Sequence, residues 1–552
     1  MKRLASALLV LLFPLALAAG TTSVFNVKTD YGATGNGTTD DGLAITAAAN
    51  ALQAAGGGTL YFPPGTYKIY STGTTYRYLT AFGGTATQPL NGINIIADHA
   101  TLAIDPTNTA ITAESWGAIF QFANSVNVKI DGFNVTGPTM DITTTSVKGV
   151  IFAQFYDGVV NVSMPNNTVQ GVLAGVNVAG TANNTTNPTR DFDIGILDVK
   201  GAWYGFAGQY APSNVRIGLL RTDTIHRSYI VYGVKNHTVN VHAKDAYSID
   251  CYLWVPSQNI NIENVTLNYT SNDDYVNSSD GNHRIGIVYG AHSPGAVRNV
   301  RLNVNVTFGT PASGHSSGAS VVEIQKWDTA DHGYVLENLT ISGVIRGAAS
   351  YPGLPVIGTY PDDVWGQGDT WRNIRLEHLR VESAQHMLFN LGALKGPFTI
   401  SGVSSDSAIF FRESPNDPNP PHNGSYAIIN SDFPNMNTML ANQARSLDPI
   451  IASYSQAIPT GWSGHTVSQD FFANSSVVYT LPAARAGLDY TFVRTTSMPV
   501  SVQPNGSESI RGYAAGQAVA LSSVGSAIHL RCLLSQANPS FGTNVPVWEV
   551  VP

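Results

Sequence analysis

The sequence predicts an all-β chain wound as a parallel β-helix, and three observations predict it. Only 12% of the 552 residues are charged, against 53 glycines and a visible surplus of Asn and Thr. This is roughly half the ~25% charge of ordinary soluble domains. Helix surfaces are normally built from Glu, Lys, Arg and Ala, so such a chain favours strands and turns. Secondly, short segments reading apolar, polar, apolar recur along the chain, among them Ile93-Asn94-Ile95, Val126-Asn127-Val128, Val215-Arg216-Ile217, Val239-Asn240-Val241, Ile260-Asn261-Ile262, Val300-Arg301-Leu302 and Ile374-Arg375-Leu376. A period of two marks a strand with one buried face. Thirdly, equivalent positions lie 33 (Asn94 to Asn127), 24 (Val215 to Val239), 21 (Val239 to Ile260) and 40 (Ile260 to Val300) residues apart. A coil of that minimum length holds three short strands and their turns, at about 3.3 Å per residue, but not a strand, a helix and two loops. Helical repeats are disfavoured for that reason, and propellers by the uneven spacing.

The elements follow in order. Lys2 and Arg3 precede an apolar run from Leu4 to Leu17, and Ala16-Leu17-Ala18 supplies the small residues of a cleavage site, so residues 1–18 read as a signal peptide and the remainder as secreted, in a bacterial periplasm or outside the cell. No other stretch approaches the ~20 apolar residues of a membrane span. A formal charge of −8 excludes a basic nucleic-acid binder, and 43% apolar residues exclude a charge-rich disordered chain. Thr39-Asp40-Asp41 starts an Ala-rich run that Gly56-Gly57-Gly58 ends, a capped helix closing the open end of the solenoid. Two strands around Pro63-Pro64-Gly65 follow, and coils continue to about residue 440. From 455 to 552, segments such as Tyr479-Thr480-Leu481 and Val500-Ser501-Val502 read as a separate small antiparallel β domain.

The string FNVKTDYGATGNGTTDD, the Ala-rich helix and GGGTLYFPPGTYKI, together residues 25–69, resemble the opening module of the pectate-lyase superfamily, in the version shared by rhamnogalacturonases, epimerase-like polysaccharide enzymes and phage tailspike depolymerases. The resemblance implies a right-handed single-stranded β-helix over residues 19–440 and a polysaccharide as partner, with no cofactor. The C-terminal segment is similar to C-terminal domains of phage tailspikes and fibres, which implies a homotrimer or a carbohydrate contact. The Asn-Thr-Asp, Asp-Asp, Gly-His-Gly and Arg-Ile-Lys motifs of polygalacturonase-like members do not occur in the expected order. No family catalytic residue therefore carries over.

The chain's own repeats locate a candidate site. Residues 223–233 and 280–290 share the pattern DxxHRxxIVYG, with a related coil, Asp245 to Val255, between them. Strict alternation places Ile230 and Tyr232, then Ile249, Cys251 and Leu253, then Ile285 and Ile287 inward. The outward row is then Arg227, Asp250, Arg284 and Glu323. Asp250 and Glu323, two rungs apart, would be separated by roughly 9.6 Å on a 4.8 Å rung. That is the upper edge of the ~6.5–9.5 Å spacing of inverting glycosidases. Inverting hydrolysis with Asp250 and Glu323 as the acid/base pair is the leading expectation. Arg227, Arg284, His226, His283, Tyr229, Tyr252 and Trp203 are the expected substrate-binding residues. The alternatives are a polysaccharide lyase, in which an arginine neutralises a uronate and His226, His283 or Lys326 removes the C5 proton, and a non-catalytic carbohydrate-binding surface protein.

Plainer readings stand beside these. The row could be an ion-pair ladder, and His226 and His283 could be turn residues bonded to Asp223 and Asp280. Asp273-Asp274 reads as a solvated loop rather than a metal site, and Lys326 with Asp328 is a weaker acid/base group. Cys251 and Cys532 need not meet. The Asn-x-Ser/Thr sequons at Asn134, Asn161, Asn236, Asn264, Asn305, Asn338 and Asn423 follow from composition.

Overall fold

A computed structural model describes residues 23–70, 78–105, 107, 117–138, 140–143, 149–180, 188–210, 212–255, 261–273, 283–290, 295–308, 320–326, 333–346, 355–359, 370–382, 386–391, 395–405, 409–413, 423–429, 431–432, 449–452, 455–458, 460, 463–469, 476–495, 497–534 and 546–551. The proposed signal peptide lies outside them.

The described coils form a right-handed parallel β-helix with three sheets. In the first sheet, Ile93, Val128, Val162, Phe192, Val215, His237, Val265, Val300 and Leu339 stack rung upon rung, all with parallel register. The register advances 23 residues from Phe192 to Val215 and 22 from Val215 to His237. Coils this short leave no room for a helix between strands, as the spacing predicts. In the middle of the chain single strands run through the corners, Arg190–Gln209 and Ser213–Tyr232 being 20 residues each.

The helix Gly42–Ala54 turns Ile45, Ala48, Ala49 and Leu52 into the core, the i, i+3, i+4, i+7 spacing that forms one apolar stripe. Its start is tied differently from the expected cap. Asp40 Oδ1 receives the Gly42 N–H at 3.0 Å, while Asp41 turns back to accept from Thr34 N (2.6 Å) and Gly35 N (3.0 Å). At Gly57, with φ +140°, a Cβ would stand 2.2 Å from the Asn91 carbonyl oxygen, so only glycine lets the chain leave the helix there.

Inside the tube, Phe122 stacks between Phe82 and Phe155 with ring centroids 5.1 Å away on each side, and Phe155 meets Phe192 edge-on at 5.2 Å. Outside, the first sheet begins each coil with an asparagine in the left-handed region. Asn127, Asn161, Asn214, Asn236, Asn264, Asn299, Asn338 and Asn373 have φ between 54° and 59°, and Asp191 takes the same place at 64°. Asparagine visits this region more readily than other non-glycine residues. Each Nδ2 donates to the side-chain oxygen one rung earlier: Asn127 to Asn91 (2.8 Å), Asn161 to Asn127 (2.6 Å), then Asn214 to the Asp191 carboxylate (2.7 Å) and onward through Asn236, Asn264, Asn299, Asn338 and Asn373. Arg375 Nε donates to the Asn373 Oδ1 at 2.6 Å. Four of the sequon asparagines, Asn161, Asn236, Asn264 and Asn338, are thus ladder rungs. Asn264→Ala removes two ladder bonds and leaves alanine at a φ of 56°, so it should destabilise by about 2 kcal/mol in urea unfolding. Asn264→Asp, which keeps the acceptor, should cost less.

The C-terminal portion mixes parallel with the expected antiparallel pairing. Pro449–Ala452, His465–Gln469 and Asp489–Val493 pair in parallel, as do Gln456–Ala457, Val477–Thr480 and Val500–Gln503. Tyr479 and Val502, partners on adjacent strands, are 23 residues apart, a coil rather than a hairpin loop. Among the described residues, antiparallel pairing appears where Pro449–Ala452 meets Asn423–Ile429 and at Val519–Leu521, Ala527–Leu534 and Pro546–Val551. This portion has its own core around Tyr479, Tyr490, Phe492 and Trp548. Both cysteines are buried and unbridged.

Candidate active site on the third sheet

Two rows run in register along the outer face of the third sheet. The first holds Ala207, Ile230, Tyr252, Gly286, Glu323 and Gly358; the second holds Gln209, Tyr232, Trp254, Val288 and Gln325. Ile230, Tyr252 and Val288 join Trp203, Tyr204 and Ile249 in an apolar cluster distinct from the tube's core. This is the outer surface from which the site is built.

The predicted four-residue row is not assembled, because alternation slips where the chain turns from the second sheet into the third. In Ser213–Tyr232, His226 and Arg227 both face out and Ser228 and Tyr229 both face in. His226 stacks on Trp203 with ring centroids 3.7 Å apart and lies 5.5 Å from Tyr247. Arg227 places its guanidinium carbon 4.5 Å over the Tyr252 ring and donates from Nη2 to Ser248 Oγ at 3.2 Å. Ser228 Oγ instead meets Thr222 Oγ1 inside the tube at 2.5 Å, and Tyr229 stacks on the core Phe206 at 5.6 Å. Ile230 and Tyr232 consequently face out, the reverse of the alternation.

Asp250 is the main correction. It is fully buried, and its carboxylate points inward: Oδ2 accepts from Tyr269 Oη at 2.6 Å and Oδ1 from the Ser228 N–H at 3.1 Å. Arg284, also expected outward, is buried with its guanidinium carbon 4.9 Å over the ring of Phe308, a core residue. Tyr229 is no binding residue on the surface; it belongs to the core. Glu323 does lie on the outer row, only 2% exposed. Tyr252 and Trp203 are on the outer face and nearly covered. The side chains of His283, Lys326 and Asp273, and all of Asp274, Asp280 and Asp328, lie outside the described residues.

The plainer reading of His226 is also revised. Asp223 engages Lys200 at 3.2 Å and Lys244 at 4.0 Å, while His226 Nδ1 lies 2.8 Å from the Ile142 carbonyl oxygen. A carbonyl only accepts, so Nδ1 carries the proton and the neutral ring has its lone pair on Nε2. An alternating charge ladder does exist, but on another face: Lys235, Glu263, Arg298, Glu337 and Arg372 occupy successive rungs, with neighbouring charges 3.3–3.8 Å apart.

Burial sets the electrostatics. It pushes the phenols of Tyr204 and Tyr232 above their ordinary range, with the Arg227 charge opposing it in both cases. Both are therefore proton donors at neutral pH rather than phenolates. Inside the tube, Tyr229 Oη donates to His237 Nδ1 at 2.7 Å and His237 Nε2–H faces the Pro212 carbonyl oxygen at 3.2 Å. Burial lowers the His237 pKa from 6.5 to about 3. The folded state thus prefers neutral His237, so its contribution is complete above the unfolded value of 6.5 and is lost as pH falls from there toward 3. Stability measured by urea unfolding should decline with a slope of up to about 1.4 kcal/mol per pH unit across that window. His237→Gln should flatten this acid limb.

Among the described residues no group of three or more His, Cys, Asp or Glu is placed to hold a metal ion. Sequence reasoning does not find Tyr204, Tyr232 or Ser248 as site residues; Tyr232 is the tyrosine of the IVYG pattern, and one slipped residue puts it on the face opposite to the one alternation assigns.

Residues 24–191 match the family described as rhamnogalacturonase A/epimerase, pectate lyase-like. Mannuronan C5-epimerase AlgE6 of Azotobacter vinelandii is 55% identical over 49 residues, 9% of this chain and 6% of that protein. Alpha-1,3-galactosidase A of Peterkaempfera griseoplana is 31% identical over 136 residues, 23% of this chain and 19% of that protein. The chain thus spans less than a fifth of the length of either relative. The solved A-module of AlgE6 superimposes with a TM-score of 0.39 at 15% identity, covering 74% of this chain and 98% of the module. Residues 24–191 are thus similar to the pectate-lyase-like family, and the coiled parallel sheets described above carry the same right-handed β-helix architecture on beyond the matched segment.

Proposed function

We propose that the protein is a polysaccharide-acting enzyme whose substrate lies along the outer face of the third sheet, and that its chemistry is proton abstraction at C5 of a uronate followed by β-elimination. One observation carries this reading: Arg227, a partly exposed cation, sits among Tyr204, Tyr232, Tyr252 and Trp254 on an outer face whose described residues are otherwise nearly free of charge. The guanidinium pairs with the uronate carboxylate and neutralises the charge that spreads onto it as the C5 proton leaves. His226 Nε2 takes that proton, the C4–O bond breaks, and a tyrosine phenol, Tyr204 or Tyr232, protonates the departing oxygen. The aromatic rings supply faces for sugar rings. Names of the matched relatives, an epimerase and a galactosidase, agree with a carbohydrate substrate.

Inverting hydrolysis is the second reading, favoured by Glu323 and Gln325 on the outer rows. It requires a second carboxyl group, and the inward turn of Asp250 removes the one expected. The two readings separate by product. Polyuronates and neutral polysaccharides incubated with the protein should yield unsaturated, ultraviolet-absorbing ends from the polyuronates alone. New reducing ends without that absorbance would establish hydrolysis instead, and no cleavage of any glycan would leave a binding protein.

A further inference from the structure

Asp250 has the burial of a core residue and the chemistry of a functional one. An ionised carboxylate inside a β-helix costs several kcal/mol in lost hydration unless its oxygens are hydrogen-bonded, and a tube lined with Val, Ile and Phe has apolar residues to offer instead. What this carboxylate touches is the turn that presents the proposed site.

A strand alternates in and out, and two successive inward residues require a bulge, in which two residues of one strand face one residue of its neighbour. Here the two are Ser228 and Tyr229, and the one is Asp250. The N–H groups of Ser228 (2.9 Å) and Tyr229 (3.2 Å) both point at the Asp250 carbonyl oxygen. The Ser228 N–H is shared with Asp250 Oδ1 at 3.1 Å, so backbone and side chain of the same residue grip the bulge together. Oδ2 is fixed in turn by Tyr269 Oη at 2.6 Å, a phenol that is itself buried. Cys251 pairs with Ile285, so Arg284 takes the position on the next rung that Asp250 takes on its own, and a buried cation follows the buried anion along the tube. Without the bulge, alternation from the inward Tyr229 would send Ser228 out and Arg227 in.

We propose that Asp250 is a positioning residue: by closing the bulge at Ser228 and Tyr229 it turns His226 and Arg227 outward together, where they meet a uronate. The inference rests on the reading of Arg227 given above, and it reverses the role of proton donor or acceptor that alternation assigned to Asp250. The two roles predict opposite behaviour in the conservative variant. Asparagine keeps an Oδ1 acceptor for the Ser228 N–H and offers its amide to the Tyr269 oxygen, but it exchanges no proton at neutral pH.

The test compares Asp250→Asn, Asp250→Ala and Tyr269→Phe by steady-state kinetics on oligouronates prepared from alginate and from polygalacturonate. In parallel, the rate at which phenylglyoxal modifies Arg227 is read by peptide mass spectrometry. Positioning predicts that Asp250→Asn keeps kcat/KM within about threefold, whereas Asp250→Ala loses about tenfold or more, chiefly through KM, with Tyr269→Phe between them. It also predicts that Arg227 modification slows in Asp250→Ala and is restored in Asp250→Asn. An Asp250→Asn variant as inactive as one lacking a catalytic acid, with Arg227 modified at the wild-type rate, would overturn the proposal. So would Asp250→Ala modified at the wild-type rate. If Asp250→Ala fails to fold, the Asn and Phe variants still decide between the outcomes. Should the wild-type protein turn over no uronate, the functional reading fails, but the modification rates still test the positioning role independently.

Discussion

Replacing Arg227 with alanine should lower kcat/KM on a uronate polysaccharide by about 10²–10³-fold, the range for removing one partner of a desolvated charge pair. The guanidinium is held by two contacts of different kind, the Tyr252 ring face 4.5 Å away and Ser248 Oγ at 3.2 Å. It therefore approaches a carboxylate already oriented, with little rotamer freedom left to lose. Lysine keeps the charge but not the planar group that lies over the tyrosine, so Arg227→Lys should recover only part of the loss. The loss should be confined to acidic glycans. Calorimetric binding of oligouronates, with neutral oligosaccharides as the comparison, separates a charge effect from a collapsed surface. Equal loss on both would mean that Arg227 supports the face mechanically instead of reading charge.

The second large effect belongs to the core. Phe122→Ala should destabilise the β-helix by about 3–5 kcal/mol, as measured by chemical unfolding. Phe122 is fully buried and stacked on both neighbours at 5.1 Å. A cavity on its rung therefore removes contacts from three successive coils. In a solenoid each coil is stabilised mainly by the coils beside it, so a gap in the stack weakens two interfaces at once. Phe122→Leu, which refills most of the volume, should cost less than half as much.

The sequence made the tube legible through period, and it misplaced the site for the same reason. Val215-Arg216-Ile217 and Val300-Arg301-Leu302 lie within flat parts of a sheet, where alternation is strict, and their faces were assigned correctly. Arg227, Ser228 and Tyr229 lie at a corner, where the chain bends and one residue more faces inward than a strand allows. From that point Ile230 and Tyr232 were assigned the wrong face, and Asp250, on the opposite side of the same bulge, was turned out instead of in. Glu323 lies beyond the slip and was placed correctly. The His-Arg pairs were rightly singled out as unusual, yet the residues that give Arg227 its setting, Tyr204, Tyr232 and Ser248, carry no signal of their own in a chain with 24 tyrosines. In the C-terminal portion the strands were visible but their direction was not, since parallel and antiparallel strands alternate alike.

The asparagine ladder has a polarity. Every amide from Asn214 to Asn373 directs its N–H toward the earlier rung and its C=O toward the later one, so six side chains add their dipoles along the axis of the tube, as peptide groups do within an α-helix. Such a line ends in partial charges, positive at its early end and negative at its late end. The aspartate Asp191 stands at the first and the guanidinium of Arg375 at the second. The surface line is thus electrically terminated at both ends by full charges of the complementary sign, and Asp191, which has no N–H to pass on, is also where the line is insulated from the shorter run through Asn127 and Asn161.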